Sequence, residues 1–329
     1  IGKMNNIDKK DLTKKYISNG YCIAPALFKE NQIIYLRKVF EDYYSKKDFP
    51  RDISLFDIDN QEAIKMILDV INSDSIRSTL QEIGNYFNTT ISTLPTFNVM
   101  RNYHIDRINS AGIGWHRDCN GEMQYDYCKK RVFDKSYVFG KIGIFLQENL
   151  EYGGSIDLIP YSHKDIRARN IIFTKLSNIP LKLIQRLQSK FPNVYKIFSE
   201  NVYMNIIKAK KVCTTKGSIV LFDSRIYHRA TPVADSIRNK VLHSSSGNYL
   251  KQTPSEKTKY VIYCNFGSTL AIDSYMHDRL QRKGNSLELQ RWANEQKKIE
   301  NFSPKLALLI QNIMNAVLIK YKDYLHKHT

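Results

Sequence analysis

Apolar positions along the first ninety residues recur at helical spacing. Residues 8–18 and 30–46 read as helices, with Asn19-Gly20 as a stop signal after the first and a short strand at Tyr21 to Ala24 between them. Between Asp57 and Phe87, Ile64, Ile67, Leu68 and Ile71, then Ile76, Leu80, Ile83 and Phe87, mark apolar stripes that fit packing against a sheet better than a cofactor site. From Thr89 the period changes to two. Leu94 to His104 alternates and is rich in strand formers, with Asn98 and Arg101 on opposite faces and surface exposure expected for both. His104 has no second ligand at suitable spacing and reads as structural.

Residues 119–135 are mixed in charge and irregular, a loop, and Ser136 to Gln147 reads as a long buried strand. The interval of about fifty residues after Pro160-Tyr-Ser-His163 holds a helix that Pro180 would start, with Leu181, Ile184, Leu187 and Phe191 on one face. Strands resume at Lys211 to Thr214 and Ser218 to Phe222, and continue through Arg238 to His243 and Lys259 to Phe266. In the tail, Ser303 caps a helix begun by Pro304, whose stripe is Leu306, Leu309, Ile310, Ile313, Met314, Val317 and Tyr321. Packing of this stripe on the sheet is the leading expectation, with a dimer contact or attachment to a membrane surface left open.

Many short strands between turn residues, with helices before and after, predict a mainly β protein with α additions: a double-stranded β-helix, or jelly roll, flanked by N-terminal and C-terminal helices. The chain reads as one elaborated domain over 1–329, with a helical buttress (8–90), a jelly-roll core (91–270) carrying an insertion at 161–211, and C-terminal helices (271–329).

Composition narrows the class. In 329 residues, 42% hydrophobic content suffices for a packed core. There is no run of about 18 apolar residues and no signal-like start, so a soluble cytoplasmic protein is expected. Five cysteines (Cys22, Cys119, Cys128, Cys213, Cys264) without Cys-x-x-Cys argue against a disulfide framework and a structural zinc site. The 50 Lys and Arg against 32 Asp and Glu give +18, which attracts anionic partners. From Tyr161 to Lys211, eleven basic residues (Lys164, Arg167, Arg169, Lys175, Lys182, Arg186, Lys190, Lys196, Lys208, Lys210, Lys211) face two acids (Asp165, Glu200), so half the net charge sits in the insertion. That insertion is the candidate lid, although a solvated basic surface fits the same pattern.

The candidate chemistry begins at Gly112-Ile-Gly-Trp-His-Arg-Asp118. In an extended segment, residues two apart share a face, so His116 and Asp118 would converge on one point. His228 is the best third ligand, and two histidines with one carboxylate on one face of Fe(II) leave positions open for a co-substrate and dioxygen. Ten residues further, Arg238 offers a planar fork suited to a carboxylate. Tyr137 and Lys141, on the Ser136 to Gln147 strand, are positions that could reach a co-substrate.

At these residues the chain resembles the phytanoyl-CoA dioxygenase-like branch of the Fe(II)/2-oxoglutarate oxygenases, whose pattern is His-x-Asp, a long interval, then His with Arg about ten residues on. Leu12 to Ser45 is similar to that family's opening, Gly153 to Lys164 to its Gly-x-Leu-x-x-x-Pro-Gly-Ser-His segment, and Gly217 to Phe222 to the strand before the second histidine. The resemblance covers most of residues 10–270 at motif level. It implies iron held by His116, Asp118 and His228, 2-oxoglutarate held by Arg238, dioxygen as second co-substrate, and hydroxylation of a substrate C–H bond with release of succinate and CO2. The carboxylate of Asp118 favours hydroxylation, since related halogenases carry a small residue there. The implied substrate is an anionic small molecule, or a glycan- or lipid-linked one. A nucleic-acid oxygenase ranks lower because no base-stacking motif is recognisable. A non-catalytic jelly-roll binding protein and a zinc hydrolase are the other readings, the second giving Arg238 no role.

Overall fold

The computed structural model describes residues 9–46, 52–102, 115–120, 130–148, 155–164, 204–205, 208–212, 214–231, 258–281, 294–295 and 297–310. The helical layer comprises α1 (Lys9–Asn19), α2 (Glu30–Ser45), α3 (Gln61–Ile71) and α4 (Asp74–Tyr86), while a later helix, α5 (Thr269–Gln281), packs in a separate cluster with Tyr137 and Phe139. Local chemistry fixes the break inside 57–87. Asn60 caps α3 by accepting from Ala63 N at 2.9 Å, and Ser73 starts α4 by accepting from Ile76 N. The expected stripes, Ile64, Ile67, Leu68 and Ile71 and then Ile76, Leu80 and Ile83, are buried.

Among the described residues, nine strands form two antiparallel sheets: β1 (Tyr21–Ala24), β2 (Asp52–Ser54), β3 (Ile91–Asn102), β4 (Phe139–Phe145), β5 (Ile156–Ile159), β6 (Lys210–Lys211), β7 (Ile219–Asp223), β8 (Tyr227–Ala230) and β9 (Lys259–Ser268). The large sheet runs β1-β7-β4-β9-β3-β2 and the small one β6-β5-β8. An isolated bridge from His116 to His228 extends the small sheet beyond β8. From β3 onward the chain passes back and forth between the sheets, which is the jelly-roll path.

Two-residue periodicity sorts the side chains. On β4, Ile142 and Ile144 join the core shared with the helices, as do Ile219 and Leu221 on β7 and Tyr260, Ile262, Cys264 and Phe266 on β9. Their neighbours Phe145, Val220, Phe222 and Val261 turn inward and meet Ile156 and Leu158 of the small sheet and Ile226 of the turn before β8. Both faces of the central strands are therefore covered, so β4 reads in sequence as an almost continuous apolar run. Lys141 shares the inward face with Phe145.

One expectation about the strands is corrected. Arg101 is not at the surface: it shares the helix-facing side of β3 with Phe97 and Val99, is buried, and places its guanidinium 4.7 Å from the centre of the Tyr44 ring. Burial lowers its pKa. The edge strand β2 and the 3-10 turn Leu55–Asp57 were not expected at all. In the tail, residues 304–310 are helical. Leu306 and Ile310 enter the main core, and Phe302 lies 6.2 Å from Phe56, so this start of the helix packs on the helical layer. Ser303 N also donates to Gln61 Oε1 at 3.0 Å. The rest of the stripe, 311–329, lies outside the described residues, as do most of the insertion (165–203), His104 and the strand expected at Arg238 to His243. Among the described residues, no helix is long and apolar enough to cross a membrane.

Candidate metal centre

His116 and Asp118 reach the centre by different means, and the expected extended pair is only half realised. His116 is bridged to His228: His116 N donates to His228 O at 2.9 Å, and His228 N returns a bond to His116 O at 3.0 Å. Asp118 instead opens the 3-10 turn Asp118–Asn120, because Cys119 turns into a buried cluster with Leu94, Val132, Tyr137 and Phe139. Strand alternation therefore does not place the carboxylate. The turn between β7 and β8 does, since Asp118 N and Cys119 N both donate to Ser224 O, at 2.9 and 3.4 Å.

The side chains converge. His116 Nε2 lies 3.7 Å from Asp118 Oδ1 and His228 Nε2 lies 3.6 Å from Oδ2, with one ligand atom from each residue inside a 4.8 Å span. The imidazole centroids are 4.3 Å apart. Nitrogen and oxygen ligands bind a divalent ion at about 2.0–2.2 Å, so small side-chain adjustments would suffice for all three to share one ion. His228 Nδ1 lies 3.0 Å from Ile226 O. A carbonyl only accepts, so Nδ1 carries the proton and Nε2 presents its lone pair to the centre. Burial lowers the His228 pKa to about 4, against the pull of Asp118, and the ring stays neutral as ligation requires.

Lys141 Nζ is 2.9 Å from Asp118 Oδ2. The contact is an ion pair, and Oδ2 is otherwise buried without a hydrogen-bond partner. Burial raises the Asp118 pKa, but the Lys141 ammonium beside it outweighs burial and holds the carboxyl well below the usual carboxylate range. The donor set thus fits a metal: one anionic oxygen with unused lone pairs and two imidazole nitrogens. Exposure is uneven, with 51% of the His116 side chain reachable against 17% for Asp118 and 7% for His228, so the centre opens on the His116 side. The Phe222 ring walls the other side, 5.1 Å from the His228 ring.

Behind the histidines, alternation sends their neighbours to the opposite face, where they lock the bridge. Arg117 stacks 4.1 Å from the Tyr227 ring centre and donates to Ser162 O at 2.9 Å. Arg229 lies 4.9 Å from the Trp115 ring centre and donates to Asp157 Oδ2 at 3.0 Å, while Thr231 Oγ1 bonds Asp157 Oδ1 at 2.8 Å. Sequence reasoning missed these residues, although their flanking positions around His116 and His228 were a usable signal. Tyr137 is fully buried in the Cys119 cluster, with its ring centre 5.4 Å from the Arg225 guanidinium carbon. His163 fixes its turn to the end of α1 through Nε2 and Ile17 O, 3.1 Å apart. Arg238 lies outside the described residues.

No family model and no curated protein matches the chain. Similar solved structures include SnoN, described as a non-heme alpha-ketoglutarate-dependent epimerase from nogalamycin biosynthesis, at 10% identity over 80% of this chain and 83% of that one, with a TM-score of 0.46. AviO1 from Streptomyces viridochromogenes Tue57 matches at 11% identity over 81% and 97%, with a TM-score of 0.45. HygX from Streptomyces hygroscopicus, with nickel and 2-oxoglutarate bound, matches at 12% identity over 79% and 87%, with a TM-score of 0.46. These likenesses are too distant to assign chemistry to this chain, and the functional reading rests on its own residues.

Proposed function

We propose that the protein is an Fe(II)/2-oxoglutarate-dependent dioxygenase that hydroxylates a C–H bond of an anionic substrate. The observation that carries the reading is the convergence of His116, Asp118 and His228, with the His228 tautomer fixed and the His116 side open. Two histidines and one carboxylate with open positions suit non-haem Fe(II). Bound iron, 2-oxoglutarate and dioxygen would supply the oxidising power, with succinate and CO2 as by-products.

The chain's residues do the rest. His116, Asp118 and His228 would hold the metal. Lys141 places a cation beside the centre, next to where an anionic co-substrate would sit. Arg238, ten residues after His228, is the proposed grip on the distal carboxylate of 2-oxoglutarate, in keeping with the sequence pattern. Phe222 keeps water from the His228 side. The basic insertion at 161–211 supports an anionic substrate, with a small molecule, a glycan or a lipid-linked compound ahead of nucleic acid.

The test is anaerobic loading with Fe(II), then succinate formation from 2-oxoglutarate in air against a panel of anionic lipids, sugars, acyl thioesters and oligonucleotides. Iron-dependent succinate that disappears in His116→Ala supports the reading. Absence of iron-dependent turnover in the wild type, with ester or phosphoester cleavage by the zinc-loaded protein, would establish the hydrolase instead.

A further inference from the structure

The turn Asp223-Ser224-Arg225-Ile226 joins β7 to β8, and two of its four carbonyls touch the centre. Ser224 O accepts from Asp118 N and Cys119 N, while Ile226 O accepts from His228 Nδ1. One turn thus fixes the backbone of one ligand and the tautomer of another. The turn is itself tied on every side. Ile226 N closes it onto Asp223 O at 3.0 Å, Ser224 N donates to Phe139 O at 2.8 Å, and Asp223 N donates to Gly20 O at 2.9 Å.

Its side chains close a second ring inside the first. Asp223 Oδ1 accepts from Arg225 N at 2.8 Å and from Arg225 Nε at 2.9 Å, and Oδ2 accepts from Arg225 Nη2 at 2.7 Å. The side chains are 1% and 10% exposed. The guanidinium fork and the carboxylate leave the pair little freedom to rotate. A buried ion pair adds little net stability compared with apolar residues of the same size, so stability alone does not account for it.

We infer that Asp223 and Arg225 are positioning residues for the metal centre, their paired side chains holding the β7–β8 turn so that Ser224 O and Ile226 O orient Asp118 and His228. Neither residue ligates the metal. They act through backbone carbonyls, as outer-shell partners of metal ligands do when they set ligand direction. The inference rests on the metal-centre reading, and its test separates the two.

The probe is Co(II), titrated into metal-free protein and read by its visible absorption band. Three variants are compared with the wild type: Arg225→Lys, which keeps the charge and loses the fork; the neutral pair Asp223→Asn with Arg225→Gln, which leaves no lone buried charge; and Ile83→Ala, a truncation at a fully buried core position in α4 that lowers stability. Both turn variants should bind Co(II) about 10–100-fold more weakly, the range for outer-shell partners, and shift the band, while Ile83→Ala keeps wild-type affinity and spectrum. Folded turn variants with wild-type affinity and an unchanged band would overturn the inference. So would failure of both to fold while Ile83→Ala folds, because the pair would then be a folding element. A wild type that gives no Co(II) band would instead remove the metal centre, and this inference with it.

Discussion

Asp118→Asn keeps the shape of the side chain and removes its charge, which separates two roles of the carboxylate. In metal-free protein the carboxylate pairs with Lys141 at 2.9 Å, the side chains being 17% and 29% exposed. Exposed pairs contribute roughly 0.2–1 kcal/mol, and breaking a fully buried pair costs roughly 3–5 kcal/mol. The partial exposure sets the expected loss at about 1–2 kcal/mol between those limits, a fall in Tm of about 1.5–3 °C for a chain of this size. The effect on metal should be larger, because a neutral amide oxygen replaces the anionic donor of the His116, Asp118 and His228 set. Losing a supporting outer-shell bond costs about 10–100-fold in affinity, so loss of this ligand should exceed about 100-fold. Calorimetry of the metal-free protein gives the first quantity, and anaerobic equilibrium dialysis with Fe(II) gives the second. Wild-type iron affinity in the Asn variant would refute the assignment of Asp118 as a ligand. A collapse of the metal-free fold would show that the residue serves folding first.

Four further outcomes are expected. Burial holds the His163 imidazole below its ordinary pKa, so its contribution to stability is full above about pH 6.5 and is lost as the pH falls below that range. Wild type should therefore lose more urea resistance than His163→Gln between about pH 7.5 and 5.5, and equal losses would count against this. Ile142→Ala, at a fully buried position on the helix-facing side of β4, should cost about 2–5 kcal/mol by denaturant titration with Fe(II) affinity unchanged. Arg238→Lys should raise the apparent KM for 2-oxoglutarate without altering iron affinity, and an unchanged KM moves the anchor to Lys141. Neutralising Lys164, Arg167 and Arg169 together should flatten the salt dependence of substrate kcat/KM and spare uncoupled 2-oxoglutarate turnover, with equal salt slopes sinking the lid reading.

The local elements were legible because each is written in a short window. Strand β1 lies at the expected Tyr21–Ala24, α1 and α2 fall within a residue of their expected bounds, and the stripe from Ile64 to Ile83 is buried as its spacing required. Strand β2 escaped notice because three residues are too few to show alternation, and its pairing with Asn98 to Met100 supplies what the window lacks. Arg101 was misjudged for a related reason. Its charge suggested water, but α2 places the Tyr44 ring over the guanidinium and makes burial tolerable.

Sequence by itself named residues with donor chemistry and, on the strands, the face a side chain takes, but not the placement of Asp118 in a 3-10 turn. His116, Asp118 and His228 could be named from residue type and pattern. Lys141 could be placed on the inward side of β4 by counting in twos. Tertiary structure alone decided how Asp118 arrives, through a 3-10 turn bonded to Ser224 O, and why Tyr137, just before β4, is buried in the Cys119 cluster beside Arg225 while Lys141, on β4, pairs with the Asp118 carboxylate. The physical reason is range. Periodicity and capping act within a few residues, whereas the direction of a ligand is set by hydrogen bonds and packing from segments distant in the chain, which exist only once the two sheets have closed.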